Sequence, residues 1–209
     1  MFRPPNERER RFLLLLGILS IFISLAGDER IFALVNLTLG SDVIDKIFFG
    51  IFLPLFYLLP CIPLFLLLDP AERKTAALSL FAAFLSYFLA SALKLVFARP
   101  RPFNVLEDVR IVGNWKDTTF SFPSSTTALA FGFSLPFFFH SGKRKLSYLL
   151  LFLSSSIGFF VVYTGYHWPL DACSGIWLAF GAEKLAEAVL TRLRHVCRAF
   201  LPRSLPKYL

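Results

Sequence analysis

Apolar residues stand in long, continuous blocks along this chain, and most charged residues fall between the blocks. Several blocks reach the roughly 20 residues that an α-helix needs to cross about 30 Å of hydrocarbon. Short alternating strands and narrow amphipathic stripes would give a different pattern. The sequence therefore predicts an all-α integral membrane protein of about six transmembrane helices, at about residues 12–26, 43–68, 75–97, 124–139, 146–164 and 169–190.

The first two predicted helices each carry an irregular feature. The first is short for a full span, and its basic flank and the Ser24-Leu25-Ala26 sequence also resemble a secretory signal; we interpret it as a retained membrane helix. The second contains Pro54, Pro60 and Pro63, so we expect a kink there. We expect residues 1–209 to form one membrane domain, in which residues 191–209 are a basic cytoplasmic tail.

The composition agrees with a bilayer environment. The 209 residues are 56% hydrophobic, against about 45–50% in typical soluble chains, and the mean hydropathy is +0.63. The net charge is +8, but the basic residues lie beside the apolar blocks, where they set topology and contact anionic lipid. Membrane lipids are therefore the expected partners and nucleic acid is not, while the oligomeric state stays open.

The basic residues also predict an orientation. Lys and Arg crowd the N-terminus, the turns at 72–74 and 143–145, and the tail from Arg192 onward, which all lie on one side of a six-helix protein. The positive-inside rule makes that side cytoplasmic, with both termini there. We expect a multi-pass protein of the cell's inner (cytoplasmic) membrane, with the loops at 27–42 and 98–123 and the turn near 165 on the outer, periplasmic side.

Two polar clusters border this predicted outer face. Lys94 ends an apolar run and is followed by Arg99-Pro100-Arg101-Pro102; in the plainer interpretation Lys94 only snorkels to the interface and the Arg-Pro pairs end the helix. The segment Pro123-Ser124-Ser125-Thr126-Thr127 precedes another apolar run, and free N–H and hydroxyl groups at a helix start can bind an anion. An ordinary Ser/Thr N-cap is the alternative there.

A third cluster contains a possible catalytic pair. His167 and Asp171 are one turn apart if a helix begins near Trp168, so their side chains can meet. A carboxylate bonded to one imidazole nitrogen fixes the tautomer and leaves the other nitrogen as a base or nucleophile. A lone interfacial histidine is usually structural, but this pair shares the outer face with two clusters suited to phosphate.

Together these motifs resemble the type-2 phosphatidic-acid phosphatase superfamily. Its first motif, Lys, six residues, then Arg-Pro, fits Lys94 with Arg101-Pro102; its second, Pro-Ser-Gly-His, corresponds to residues 123–126; its third, Ser-Arg, five residues, His, three residues, Asp, ends here in His167 and Asp171. The agreement in order and spacing covers about residues 93–175. The resemblance implies the helix-bundle core of that family.

The resemblance also implies roles for these residues. His167 would form a phosphohistidine and Asp171 would orient it, with no cofactor and no metal ion. The phosphate would be held by Lys94, Arg101, Ser124 and the amides of Ser125 and Thr126, as charge spreads over its oxygens.

Two positions depart from the family pattern. Thr126 stands where the family has the histidine that protonates the leaving group, and a hydroxyl is too weak an acid to replace it. Val161 stands where the family has a phosphate-binding arginine. Arg99, Arg110 and Lys116 are the candidates to replace that arginine.

These departures leave two main hypotheses. One is a phosphatase or phosphotransferase acting on a lipid phosphate or, preferentially, a lipid pyrophosphate of the polyprenyl type, whose leaving group needs little protonation. The alternative is a catalytically impaired pseudoenzyme that binds a phospholipid or lipid phosphate. Lipid transport is the least favoured class, because the sequence has no repeat of paired, broken helices.

Overall fold

The computed structural model describes residues 4–113 and 120–200, with the backbone alone for 194–200. These residues are all-helical and contain no strand. The helices are α1 (Glu7–Ala26), α2 (Asp28–Ala33), α3 (Asp42–Ile47), α4 (Leu53–Leu58), α5 (Cys61–Leu66), α6 (Arg73–Phe97), α7 (Ser125–His140), α8 (Arg144–Tyr163) and α9 (Pro169–Phe200).

The N-terminal helices form a sharp elbow. α1 begins at Glu7, earlier than predicted, because Asn6 and Glu9 form a reciprocal capping box over its first turn. At Gly27 the chain bends by 96° into α2, which continues as a π-helical turn, Leu34–Thr38. The predicted outer loop at 27–42 was therefore wrong in kind, since most of it is helical. We call residues 7–38 the N-terminal elbow.

The second predicted helix is interrupted rather than merely kinked. A π-helical turn, Phe48–Phe52, lies between α3 and α4, and a turn at Leu59–Pro60 separates α4 from α5. Proline cannot donate the helical N–H bond and its ring crowds the preceding turn, so the interruption falls where the sequence places its prolines.

Helices α6 to α9 pack together as the core. Ser79 and Ser86 of α6 donate hydrogen bonds to the carbonyls of Phe133 and Ala128 in α7, at 2.7 and 2.9 Å. A Cβ added to Gly132 would lie 2.4 Å from the Cα of Ala83, so only glycine permits this approach. Small residues and hydroxyl groups are the usual means of close helix packing in lipid.

The basic segments meet at one end of the bundle. Lys143, in the turn before α8, pairs with Asp69, which precedes α6, at 2.7 Å. Ser141 donates to Glu72 at 2.8 Å, and Arg8 of α1 donates to the Phe138 carbonyl at 3.3 Å. α9 runs on to Phe200, beyond the predicted end at 190, because arginine is a favourable helix former near a C-terminus. The predicted tail is helical that far, and residues 201–209 lie outside the described part.

In the described part of the chain, fewer helices are long and apolar enough to cross a membrane than the six that the sequence predicted. Within the described residues, three helical stretches qualify, Asp42–Leu66, Arg73–Asn104 and Arg144–Tyr163, and the bent elbow counts as a fourth if it is one span. α7 has only 16 residues, and α9 carries Asp171, Glu183, Lys184 and Glu187. The structure does not confirm six spans.

Candidate active site

The loop after α6 brings the first motif to the second. α6 ends where Ala98 adopts a left-handed conformation, and the chain then turns back. The ammonium group of Lys94, which is 6% exposed, donates to the carbonyls of Phe120 and Ser121 at 2.6 and 3.4 Å. Ser121 donates to the Arg99 carbonyl from its backbone at 2.9 Å. The two ends of this loop are thereby held together beside the start of α7.

Arg101 joins the first motif to the third. Its side chain is 1% exposed, and Nη1 donates to the Tyr166 carbonyl at 2.8 Å. The same nitrogen lies 3.4 Å from Nε2 of His167. Nη2 donates to the Phe120 carbonyl at 3.4 Å, the carbonyl that also accepts from Lys94. Lys94 and Arg101 therefore share one carbonyl oxygen, and Arg101 also reaches the imidazole of His167.

The contact with Arg101 indicates which ring nitrogen of His167 carries the proton. A guanidinium group only donates hydrogen bonds, so the Nε2 that faces Arg101 presents its lone pair and the ring proton belongs on Nδ1. Burial, to which the charges of Arg101 and Lys94 add, holds the pKa of His167 below its usual value against the opposing effect of Asp171. The backbone N–H of His167 is bonded to the Val161 carbonyl at 3.1 Å.

Asp171 faces the imidazole at a longer distance than the sequence predicted. Its Oδ2 is 3.5 Å from Nδ1 of His167, beyond ordinary hydrogen-bond length, and accepts from the Trp168 amide at 2.9 Å. Its Oδ1 accepts from Nη1 of Arg99 at 2.8 Å. The one-turn spacing does bring the pair together, with the Asp171 side chain fully buried.

Ser124 caps α7, as the plainer interpretation of its cluster predicts. Its hydroxyl oxygen accepts from the Thr127 amide at 3.3 Å and from the Thr127 hydroxyl at 3.0 Å. Its own amide donates to the Asp171 carbonyl at 3.0 Å, which ties this helix start to the third motif. Ser125 and Thr126 are the first two residues of α7 and are half-buried; amides at those positions have no partner within an α-helix.

Arg99 forms salt bridges with two carboxylates, those of Asp171 and Asp28. Nη1 pairs with Asp171 at 2.8 Å and Nη2 with Asp28 of the elbow at 2.6 Å, while the guanidinium stacks over the Trp168 ring at 5.1 Å. Asp28 also accepts from the Leu170 amide at 2.9 Å. From the sequence, Arg99 was predicted to bind phosphate, and Asp28 was not predicted as a site residue, because its only signal is a carboxylate directly after Gly27.

The other two candidates to replace the missing arginine are Arg110 and Lys116, and the contacts of Arg110 do not support a phosphate-binding role. Arg110 contacts Asp45 and donates to the Tyr163 hydroxyl at 3.2 Å. Lys116 lies outside the described residues. Val161 itself is half-buried and packs against an apolar cluster that includes Trp168 and Phe32.

A second polar cluster occupies the basic end. Possible metal-ligand atoms lie within 4.8 Å of one another there, on His140, Glu183 and Glu187. This cluster was not predicted from the sequence. The Lys184 ammonium group lies among these carboxylates, 3.1 Å from Glu183 and 3.3 Å from Glu187, and 2.7 Å from Glu9 of α1. A fixed cation therefore balances part of this negative charge. Glu183 is about 18 Å along α9 from Asp171, at 1.5 Å per residue.

Two solved structures are similar to this chain. The crystal structure of Aquifex aeolicus LpxE is similar, with a TM-score of 0.66 and 28% sequence identity over 76% of this chain and 93% of that chain. The PAP2-type phosphatidylglycerolphosphate phosphatase from Bacillus subtilis is similar in fold, with a TM-score of 0.55 and 20% identity over 86% of this chain and 94% of that one. No curated protein sequence matches.

The family model of the PAP2 superfamily matches residues 75–193, which include all three motifs and more than half of the 209 residues. The predicted resemblance and the all-helical membrane fold are both confirmed. The chain is a multi-pass membrane protein that belongs to the PAP2 superfamily, the type-2 phosphatidic-acid phosphatases.

Proposed function

We propose that the protein is a membrane lipid phosphatase that transfers the phosphoryl group of a lipid phosphate or, preferentially, a lipid pyrophosphate to Nε2 of His167. The observation that carries this proposal is the convergence of Lys94 and Arg101 on the Phe120 carbonyl, with Arg101 3.4 Å from Nε2. Family membership and the similarity to LpxE support the same class of reaction.

The first chemical step forms one bond and breaks another. The Nε2 lone pair of His167 attacks phosphorus, and the bonding electrons of the P–O bond leave with the oxygen of the departing group. The imidazole becomes cationic while it keeps its proton on Nδ1, and the carboxylate of Asp171 stabilises that charge. Water then attacks the phosphohistidine, the electrons of the N–P bond return to Nε2, and the proton that the water loses leaves with the phosphate product.

Fixed positive groups would stabilise the transferring phosphoryl oxygens. Lys94 and Arg101 are buried and already oriented, so little reorganisation accompanies the reaction. The first-turn amides of Ser125 and Thr126 add N–H donors at the positive end of α7. Ser124 contributes mainly as the cap that shapes this helix start, because its hydroxyl oxygen already accepts two hydrogen bonds.

The missing general acid favours one class of substrate. A lipid pyrophosphate releases a phosphate monoester, whose second pKa is about 6, so it leaves as a stable anion. An alkyl phosphate must release an alkoxide, a strong base comparable to hydroxide, which leaves poorly unless it is protonated. With Thr126 in place of the acid, we expect the pyrophosphate to react faster.

Steady-state phosphate release tests the proposal directly. Purified protein is given a polyprenyl pyrophosphate and a phosphatidate in the same detergent, beside a His167→Ala control. We expect release from the pyrophosphate to exceed release from the phosphatidate and to vanish in the control. Equal rates in wild type and His167→Ala would refute phosphatase activity at this site.

The packing of Val161 supports a second candidate function, binding without turnover. The position where the family has its arginine packs against an apolar cluster, while Lys94 and Arg101 are both present and share the Phe120 carbonyl. A pseudoenzyme of this kind would bind a lipid phosphate, lose binding in Lys94→Ala, and release no phosphate from either substrate class. Turnover that depends on His167 excludes it.

A further inference from the structure

An apolar cavity of about 280 Å³ lies directly beside the candidate active site. Its walls come from α1, α2, α7, α8 and α9, and include Leu19, Ile31, Phe131, Phe159 and Pro169. Apart from the Ser155 hydroxyl and the Cys173 thiol, the lining side chains are hydrocarbon, and none is charged. A lipid headgroup would lose its hydrogen bonds there, whereas a hydrocarbon chain would lose nothing.

The cavity borders the chain segment that carries the third motif. Pro169 follows His167 by two residues and Ala172 directly follows Asp171, and both line the cavity. On α8 the lining extends from Val162 to Ser155, seven residues or about 10 Å along the helix axis. It thus runs from the level of His167 through about a third of a 30 Å hydrocarbon layer.

One wall of the cavity is supplied by the N-terminal elbow. Leu19 and Ile23 belong to α1 and Ile31 to α2, all outside the residues 75–193 that match the family model. The elbow is fastened to the site by Asp28, which bonds both Arg99 and the Leu170 amide. The side chains of Leu19 and Ser155 are exposed on the protein surface, so the cavity opens sideways toward the hydrocarbon.

We propose that this cavity binds a segment of the hydrocarbon chain of the lipid whose phosphate sits at His167, and that the N-terminal elbow selects that chain. The proposal rests on the proposed function for the position of the phosphate. It assigns chain selectivity to residues 19–35 of the elbow, while the phosphate contacts come from the family core.

Binding of alkylphosphonates tests the cavity without any need for turnover. Their C–P bond is not hydrolysed, and butyl- and decylphosphonate differ only in chain length. Burial of two methylenes already accounts for about tenfold in affinity. We expect wild type to bind decylphosphonate at least about tenfold more tightly than butylphosphonate, as measured by calorimetry in one detergent.

Two matched substitutions distinguish binding of the chain in the cavity from its partition into the detergent micelle. Ser155→Phe places a ring at the cavity mouth, and Ser24→Phe places one at an exposed position of α1 that does not line the cavity. We expect Ser155→Phe to lose the preference for decylphosphonate while it binds butylphosphonate as before, and Ser24→Phe to behave as wild type. Leu19→Trp is a second blocking variant, at a lining position on α1.

The outcomes distinguish this proposal from the proposed function. If wild type shows no chain-length preference, or if Ser155→Phe and Ser24→Phe bind decylphosphonate equally, the chain site is overturned whether or not the protein hydrolyses lipid phosphates. If no variant releases phosphate but Ser155→Phe alone loses the decyl preference, the phosphatase function fails and the chain site stands.

Discussion

Thr126 is the residue that most limits the proposed chemistry. It is the second residue of α7 and half-buried at the helix start, and it occupies the position where the family pattern has the histidine that protonates the leaving group. General acid catalysis typically contributes about 10²–10⁴-fold. We therefore predict that Thr126→His raises kcat on a phosphatidate by about that factor, and raises it far less on a lipid pyrophosphate.

Thr126→Gln serves as the control for this gain, because its side chain is similar in reach and cannot donate a proton to a leaving alkoxide. Both variants are compared by phosphate release at saturating substrate. An equal gain on the two substrates, or a gain in Thr126→Gln, would show that leaving-group protonation is not what wild type lacks.

The lowered pKa of His167 predicts where the rate of the reaction falls off in acid. Burial disfavours the protonated ring, so the group titrates below the ordinary value of about 6.5. The acid limb of kcat/KM, which reports the free enzyme, should accordingly lie below pH 6.5. An acid limb at or above that pH would contradict the assignment of His167 as the nucleophile.

The same shift affects stability with a definite sign. Below about pH 6.5 the unfolded state takes up a proton that the folded state resists, so the folded state loses stability as pH falls. His167→Gln removes this contribution. Its thermal unfolding should therefore depend less on pH between 7.5 and 5.5 than that of wild type.

The sequence predicted that Lys94, Arg101 and His167 lie close together, but it did not predict the partner of Arg99. The spacing of Lys94, Arg101 and His167 within three motifs was sufficient, because the family fold places those motifs together. The pairing of Arg99 with Asp28 was not predictable, since the two residues are 71 positions apart and only the elbow brings them together. A charged residue in a loop does not reveal its partner.

At the scale of elements, the Asp28–Arg99–Asp171 chain connects the elbow, the loop after α6 and the first turn of α9. Losing a charged hydrogen bond costs about 1.5–3 kcal/mol, or about tenfold to hundredfold in rate if it acts in the transition state. We predict that Arg99→Gln lowers kcat by that range with a smaller change in KM.

A positioning role has a second signature. Without the Arg99 charge, the carboxylate of Asp171 acts on His167 unopposed, so the acid limb of the pH profile should move upward. Arg110→Gln, which breaks an ion pair with Asp45 instead, should leave that limb in place. If the two variants shift the limb equally, Arg99 does not act through Asp171.

The Lys184 cluster is the corresponding connection at the basic end, where it joins α1 to α9. The carboxylates of Glu9 and Glu183 are fully buried, and Lys184 contacts both. Removing one partner of a buried ion pair typically costs about 3–5 kcal/mol. We predict that Lys184→Met lowers the thermal unfolding temperature markedly, as measured in detergent.

Lys143→Met is the matched control for that prediction. Lys143 pairs with Asp69 at 2.7 Å, but both side chains are substantially exposed, and solvent screens such pairs. Its unfolding temperature should stay close to that of wild type. Equal destabilisation by the two substitutions would mean that burial of the carboxylates does not set the cost.

Helices bounded by charged turns were predictable, and irregular ones were not. The predicted helix at 75–97 corresponds to α6, and that at 146–164 to α8, because an apolar block between two polar turns has clear ends. The elbow was predicted as a helix followed by a loop, and the interrupted second stretch was predicted as one kinked helix. Their shape depends on packing and on where carbonyls freed by proline or glycine find partners, which local sequence does not specify.

The whole molecule has two chemically different ends joined by an apolar surface. Leu14, Phe65, Phe88 and Tyr148 are among the large side chains more than half exposed along the helices, as suits contact with lipid tails. The basic turns gather at one end, and His167 with its cations lies at the other. Because both ends are fixed relative to each other, one orientation experiment places the site.

The distribution of Lys and Arg predicts that the basic end is cytoplasmic and that the site faces outward. We introduce Val105→Cys, exposed in the loop of the site end, and Lys143→Cys, exposed at the basic end, into a chain whose own cysteines are replaced by alanine. In intact cells a membrane-impermeant maleimide should label only the cysteine at position 105, and permeabilised cells should show labelling at both positions. Labelling of position 143 alone in intact cells would put His167 on the cytoplasmic side, and a lipid phosphate would then have to be presented from the inner leaflet.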